Sequence, residues 1–214
     1  MRRIIQIISL LILASLLEAE IVFAQGALNQ LLNKARSYHN PSYGFKIRYF
    51  GKLEEQNPKQ VVIKLPKFEE DQVPQSYITI SVEKQPFVDL PGTYGGRLYL
   101  NTDSPSALLQ DRYVVEHVVI NGLAFIKEYW LVYGGMGNWD TVINCYTKQN
   151  GRYYVISLHY PFLSGVPGKV VNGRKISKGE LITKGLKAMH DNNNDYVQAF
   201  NTVLSSFSIN KISK

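Results

Sequence analysis

The chain has 214 residues, 45% of them hydrophobic and 12% aromatic, and a formal net charge of +7. That composition excludes a disordered, collagen-like or coiled-coil chain. Its single cysteine excludes both a disulfide scaffold and a cysteine zinc site. No apolar run in the body of the chain reaches the roughly 20 residues of a membrane span.

The first segment reads as an address. Met1-Arg2-Arg3 is positive, Ile4 to Leu17 is almost wholly apolar, and Val22-Phe23-Ala24 follows. A positive start, a short apolar stretch and a small-residue site are the plan of a secretory signal. Residues 1–24 are therefore expected to be a signal peptide cleaved after Ala24, leaving Gln25 as the new N-terminus. An uncleaved anchor is the alternative. Cleavage removes two basic and two acidic side chains, so the mature charge stays +7. Residues 25–214 are read as one domain.

Leu28, Leu31, Leu32 and Ala35 predict a short amphipathic helix over 27–37. Residues 38–43 break it at Asn40-Pro41. Residues 43–50 alternate as a strand, and strands follow over 61–65 and 76–83. In the last of these, Ile78, Ile80 and Val82 share one face and Tyr77, Thr79 and Ser81 the other. Residues 85–103 carry prolines and glycines and read as a long loop. Ser104-Pro105 opens a short helix to Gln110.

Two hairpins come next. Residues 113–120 and 123–132 are joined by Asn121-Gly122, and residues 139–147 and 152–160 by Asn150-Gly151. Both turn positions of such a hairpin need positive φ, which Asn-Gly supplies. The first register puts Glu116 opposite Lys127. Residues 161–176 are a Gly- and Pro-bearing insertion. Ser177-Lys178-Gly179-Glu180 is a capping box for a helix to about Met189. Asp191 to Asp195 breaks that helix and caps a last one over 196–207, with Phe200, Val203, Leu204 and Phe207 on its buried stripe. The order predicts an α+β domain with an antiparallel sheet and helices packed on it.

Three segments carry a resemblance. They are Tyr38-His39-Asn40-Pro41-Ser42-Tyr43-Gly44-Phe45-Lys46-Ile47-Arg48-Tyr49, Gly151-Arg152-Tyr153-Tyr154-Val155-Ile156, and Phe200-Asn201-Thr202-Val203-Leu204-Ser205-Ser206-Phe207. In that order and spacing they resemble the PsbP-like family, which shares its fold with the Ran-binding Mog proteins. Phe50 stands where that family usually has proline, and the basic insertion is long. The resemblance implies an α-β-α sandwich around a central antiparallel sheet. It also implies a mostly non-enzymatic role, as an extrinsic lumenal subunit, an assembly factor or another exported protein.

No nucleophile elbow, zinc-protease helix, P-loop or dinucleotide fingerprint is present. Gly134-Gly135-Met136-Gly137 joins two strands and reads as a turn. Asp191, Asn193 and Asp195 have the spacing of a calcium loop's start, but Tyr196 and Thr202 stand where glycine and glutamate are needed. The second hairpin gives one apolar face, with Ile143, Cys145, Tyr154, Ile156 and Leu158. Its other face holds Asp140, Val142, Asn144, Ser157 and His159, with Asp140 diagonal to His159. A small exported hydrolase or metal-dependent enzyme would use that face, whereas a polar sheet face with a local hydrogen bond needs no chemistry. Cys145 reads as a buried, inert thiol. Lys169, Arg174, Lys175 and Lys178, with Lys184 and Lys187 beyond, could meet an anionic surface.

The leading expectation is an exported binding or scaffolding module without cofactor, catalytic or metal residues. Its partner would be a protein or envelope component, with no nucleic acid and no membrane span after cleavage. Periplasm, the extracellular space or, in a photosynthetic host, the thylakoid lumen are the expected compartments. Photosystem II is a partner only in that last case.

Overall fold

The computed structural model describes residues 35–66, 75–90, 96–100, 112–135, 138–163, 170–171 and 174–210. Within the chain two units separate, Met1–Arg36 and Ser37–Lys214, and the fold is that of the second. The leader over 1–24 and the short helix at 104–110 lie outside the described residues. So does residues 27–34 of the first expected helix; its end is corrected, since Arg36 and Ser37 are in a strand.

Two antiparallel meanders make the main sheet. The first contains β3 (Lys52–Asn57), β4 (Gln60–Lys64) and β5 (Tyr77–Glu83). The second contains β8 (Arg112–Ile120), β9 (Leu123–Gly135), β10 (Asn138–Gln149) and β11 (Arg152–Leu163). β5 pairs with β11, giving seven strands in the order β3-β4-β5-β11-β10-β9-β8. Asn121 and Gly122 have φ of 51° and 76°, and Asn150 and Gly151 have 51° and 74°. The turns therefore fix the registers as expected, including Glu116↔Lys127, Asn144↔Ser157 and Val142↔His159. Glu116 does not spend its carboxylate on Lys127; it accepts from the Tyr129 hydroxyl at 3.2 Å and stands 3.6 Å from His190 Nε2.

One face of the sheet carries the apolar row Ile78, Ile80, Leu158, Ile156, Ile143 and Cys145, all buried. α1 (Lys178–His190) and α2 (Asp195–Ser206) both pack there. α1 begins where Ser177 Oγ accepts from the Glu180 N–H at 3.1 Å. It lies so close to β9 that a Cβ on Gly185 would stand 2.8 Å from Leu131 Cδ1. α2 begins at Asn194, whose side chain accepts from Tyr196 and Val197, satisfying two of the free donors of a helix start. A small sheet of β1 (Arg36–His39), β2 (Phe45–Tyr49) and β14 (Ser208–Ile209) packs beside α2.

The three family-like segments meet here. Phe45 from the first stacks on Phe207 from the third at 6.0 Å and meets Tyr154 from the second edge-on at 6.3 Å. Tyr154 donates its hydroxyl to the Tyr43 carbonyl at 3.0 Å. Asn40 is buried and ties the first segment to the β3–β4 turn by donating to the Pro58 carbonyl at 3.0 Å. Their spacing in sequence thus serves one aromatic cluster.

The opposite face differs from expectation. Residues 85–103 are not a single loop: β6 (Phe87–Leu90) and β7 (Gly96–Tyr99) form a two-stranded ribbon. Phe87, Val88, Leu90 and Leu100 pack with Trp130, Val132, Val142, Tyr146 and Val155. The sheet is therefore buried on both faces, with the two described helices on one and the ribbon on the other. β3 is an unexpected strand, polar and mostly exposed. The 161–176 insertion includes the end of β11 and a minimal pair, β12 (Val170–Val171) and β13 (Arg174–Lys175). The whole is an α+β fold of mostly antiparallel sheet with two described helices.

Candidate functional site: the ribbon-covered face and its open end

Register places the polar-face residues. Asn144 is opposite Ser157, Val142 opposite His159, and Asp140 opposite Pro161, which leaves Asp140 diagonal to His159. Val142, Asn144, Ser157 and His159 point to the ribbon side by strand alternation. Asn144 is 0% exposed, Ser157 1% and His159 5%. Ser157 Oγ donates to Asn144 Oδ1 at 2.6 Å, and Asn144 Nδ2 donates to the Phe87 carbonyl at 3.1 Å. These two side chains therefore bolt the ribbon to the sheet, which matters because buried polar groups need partners.

His159 stacks on Tyr77 with ring centroids 4.6 Å apart. Neither of its ring nitrogens has a hydrogen bond among the described residues. Burial pulls its pKa down to about 4, against a smaller opposing pull from Asp89. An imidazole of that kind is neutral near pH 7. Its sign in stability is fixed: the unfolded chain takes up a proton near pH 6.5 and the folded chain only near 4. Between those values the unfolded state binds more protons, so stability is full above about pH 6.5 and falls as pH drops toward 4. Denaturation measured from pH 7.5 to 4.5 should show that fall, and His159→Phe, which keeps the stack, should flatten it. An unchanged slope in the variant would contradict the buried neutral imidazole.

Sequence reading passed over Glu128, a charged residue in the otherwise apolar alternating row Ala124, Ile126, Trp130 and Val132 of β9, and that contrast was its signal. Glu128 is fully buried. Trp130 Nε1 donates to its Oε2 at 3.1 Å and the Tyr146 hydroxyl to its Oε1 at 3.4 Å. A buried carboxylate is tolerable only with such donors. The pair of bonds fixes the Tyr146 ring.

Beside that ring the covered face opens. A groove of about 480 Å³ is walled by β8, β9, β10 and β11. Register builds it: His117 lies opposite Ile126, and Ile126 opposite Tyr146, in one row across the strands. Val119, Lys148 and Tyr153 complete its lining. The Tyr146 and Tyr153 rings meet at 6.4 Å and 61°, and the Lys148 ammonium stands 5.3 Å over the Tyr153 ring. The groove thus offers an aromatic floor, one exposed cation and one imidazole, a set suited to an apolar or aromatic group beside an acid.

The remaining sequence candidates are spread out. Lys169 lies outside the described residues. Arg174 and Lys175 form β13, and Lys178 opens α1; Lys175 and Lys178 are exposed. Cys145 is buried, and burial pushes its thiol well above the ordinary range, as fits an inert cysteine. Asp191 accepts from the Asn193 N–H at 2.9 Å, a turn contact leading to the Asn194 cap. Among the described residues no group of three or more His, Cys, Asp or Glu side chains lies together as metal ligands would. No described helix is long and apolar enough to cross a membrane.

No family model matches the chain, and no curated protein matches it by sequence. Solved structures do resemble it. A protein of Bacteroides thetaiotaomicron is 12% identical with a TM-score of 0.45, covering 84% of this chain; the chain spans 50% of that protein's length. The Saccharomyces cerevisiae Ran-binding protein Mog1p is 10% identical with a TM-score of 0.44, covering 82% of this chain and 95% of that one. Cyanobacterial PsbP from Synechocystis sp. is 14% identical with a TM-score of 0.35, covering 82% and 92%. The resemblance read from three short motifs is met again as a resemblance of fold to Mog1p and PsbP.

Proposed function

We propose that this protein is an exported, non-enzymatic binding module that holds a segment of a partner protein in the groove at the hairpin end of its sheet. The observation that carries the reading is the groove itself: Tyr146, Tyr153 and Lys148 form an oriented aromatic and cationic surface where the covered face opens. The preferred segment places a carboxylate near Lys148 and an apolar or aromatic side chain on the two tyrosines. Support for a scaffolding role of the polar face comes from the Ser157 hydroxyl, which is bonded to Asn144 and not to His159. Nucleophilic catalysis would need the serine proton directed at the imidazole. The α-β-α sandwich that the family resemblance implies belongs to the same reading.

Export rests on the leader pattern. The compartment is the periplasm or the extracellular space, or the thylakoid lumen of a photosynthetic host, where photosystem II would be the partner. One experiment joins these points. The protein recovered from the envelope of its host should have an intact mass beginning at Gln25 and carry a partner that Lys148→Glu releases. A mass retaining residues 1–24, or a partner indifferent to Lys148→Glu, would contradict it. Turnover of an ester, peptide or phosphoester that His159→Ala abolishes would favour the enzyme instead.

A further inference from the structure

The seven-stranded sheet has two edges, β3 and β8, and they are built differently. β3 carries the ion pairs Lys52–Glu54 and Lys64–Glu54, both at 2.9 Å, and a register irregularity between Glu55 and Asn57. Charges and bulges of that kind keep an edge from pairing with another chain. β8 has no irregularity along Val114–Ile120, and the one acidic side chain there, Glu116, is turned to the helix side, 3.6 Å from His190 Nε2. Its irregularity is confined to Arg112/Val114, and the stretch reads Val-Val-Glu-His-Val-Val-Ile. Val115 is 45% exposed and Val119 76%.

The direction of the free backbone groups follows from the turn. A two-residue hairpin closes on a hydrogen-bonded pair, here Ile120:Leu123, and bonded and non-bonded pairs then alternate. Ile120, Val118 and Glu116 therefore spend their N–H and C=O groups on β9. Val115, His117 and Val119 direct theirs outward, and all three side chains lie on the ribbon side of the sheet.

We propose that β8 is a self-pairing edge that joins two copies of this chain into one continuous antiparallel sheet about a two-fold axis at His117. An antiparallel partner must set outward-directed residues opposite one another. The register centred on His117 does this throughout: Val115 faces Val119 of the second copy, His117 faces His117, and Val119 faces Val115. Each pair exchanges two backbone bonds, and each exposed valine is covered by the other. Sliding by two residues toward the strand start sets Glu116 against Glu116, a like-charge contact that disfavours that alternative. Sliding the other way loses Val115 to the Asn121 turn.

The mature chain tests this by sedimentation across a concentration series. The expected species is a dimer, and His117→Pro should abolish it while leaving the monomer folded, because that substitution removes an outward N–H and no bond to β9. Val119→Lys should also abolish it. Under oxidation His117→Cys should crosslink to itself, since opposed Cα atoms about 5.5 Å apart lie within disulfide reach. Val119→Cys alone should not crosslink, whereas Val115→Cys with Val119→Cys should. A monomeric wild type overturns the proposal, as does a dimer that survives His117→Pro or a Val119→Cys variant that crosslinks as readily as His117→Cys. A monomer that dimerises only when residues 25–34 are removed also overturns it, because the edge then serves the chain's own segment.

Discussion

Phe200→Ala should destabilise the protein by about 3–5 kcal/mol, the range for removing a fully buried aromatic ring. Phe200 is wholly buried on α2, on the stripe that includes Val197, Val203 and Leu204. The helix is fixed at both ends of this contact. Asn194 caps its start, and Phe207 just after its end packs against Phe45, Phe125 and Tyr154. The surroundings therefore have little freedom to collapse into the space, which places the loss toward the upper part of the range. Urea denaturation measures it through the midpoint at constant slope. A loss below about 1 kcal/mol, typical of surface sites, would contradict the packing.

Gly51→Ala should be as damaging through the backbone. Gly51 links β2 to β3 with φ of +92°, and a Cβ there would stand 2.2 Å from the Lys64 carbonyl oxygen. The left-handed conformation alone costs a non-glycine residue about 1–3 kcal/mol. Relieving the overlap requires β3 and β4 to part, adding roughly 1–3 kcal/mol as overpacking does. The carbonyl belongs to the main chain and cannot swing aside as a flexible side chain would. A variant with unchanged denaturation midpoint would show that the β2–β3 link is placed wrongly. At the exposed turn position Gly122, where nothing stands within 4 Å of a Cβ, only the conformational part applies, so Gly122→Ala should cost less.

What could be read from the sequence follows from where the information lies. Both long hairpins were legible because Asn-Gly encodes their turns locally, and the registers follow from the turn alone. The last helix was legible from its stripe and its cap. β3 was not, because Lys-Leu-Glu-Glu-Gln-Asn is an edge strand held by pairing with β4 and carries no buried alternation. Nor were β6 and β7, each four residues long and set among prolines and glycines. Arg36 and Ser37 extend a helical pattern in the sequence yet are in β1, beside β2, so tertiary pairing overrode local periodicity.

The candidate site shows the same limit more sharply. Thr79, Ser81, Asn144 and Ser157 alternate with apolar neighbours and read as a polar sheet face, with nothing local to show that they are buried. Their cover comes from residues 87–100, distant in sequence from the second hairpin, and no local pattern announces it. Asn144 bonded to the Phe87 carbonyl is the physical record of that cover. The groove was hidden for the complementary reason. Tyr146 and Tyr153 are ordinary strand residues until one knows where the face opens.

Photo-crosslinking from single positions in the exported protein tests the central claim most directly. A photoreactive residue replacing Gln149, which lines the groove, should give one discrete adduct with a partner protein. The same residue replacing exposed Lys175, in the basic stretch, should give none. An adduct from the Lys175 position with none from the Gln149 position would contradict the groove and assign binding to the basic stretch instead.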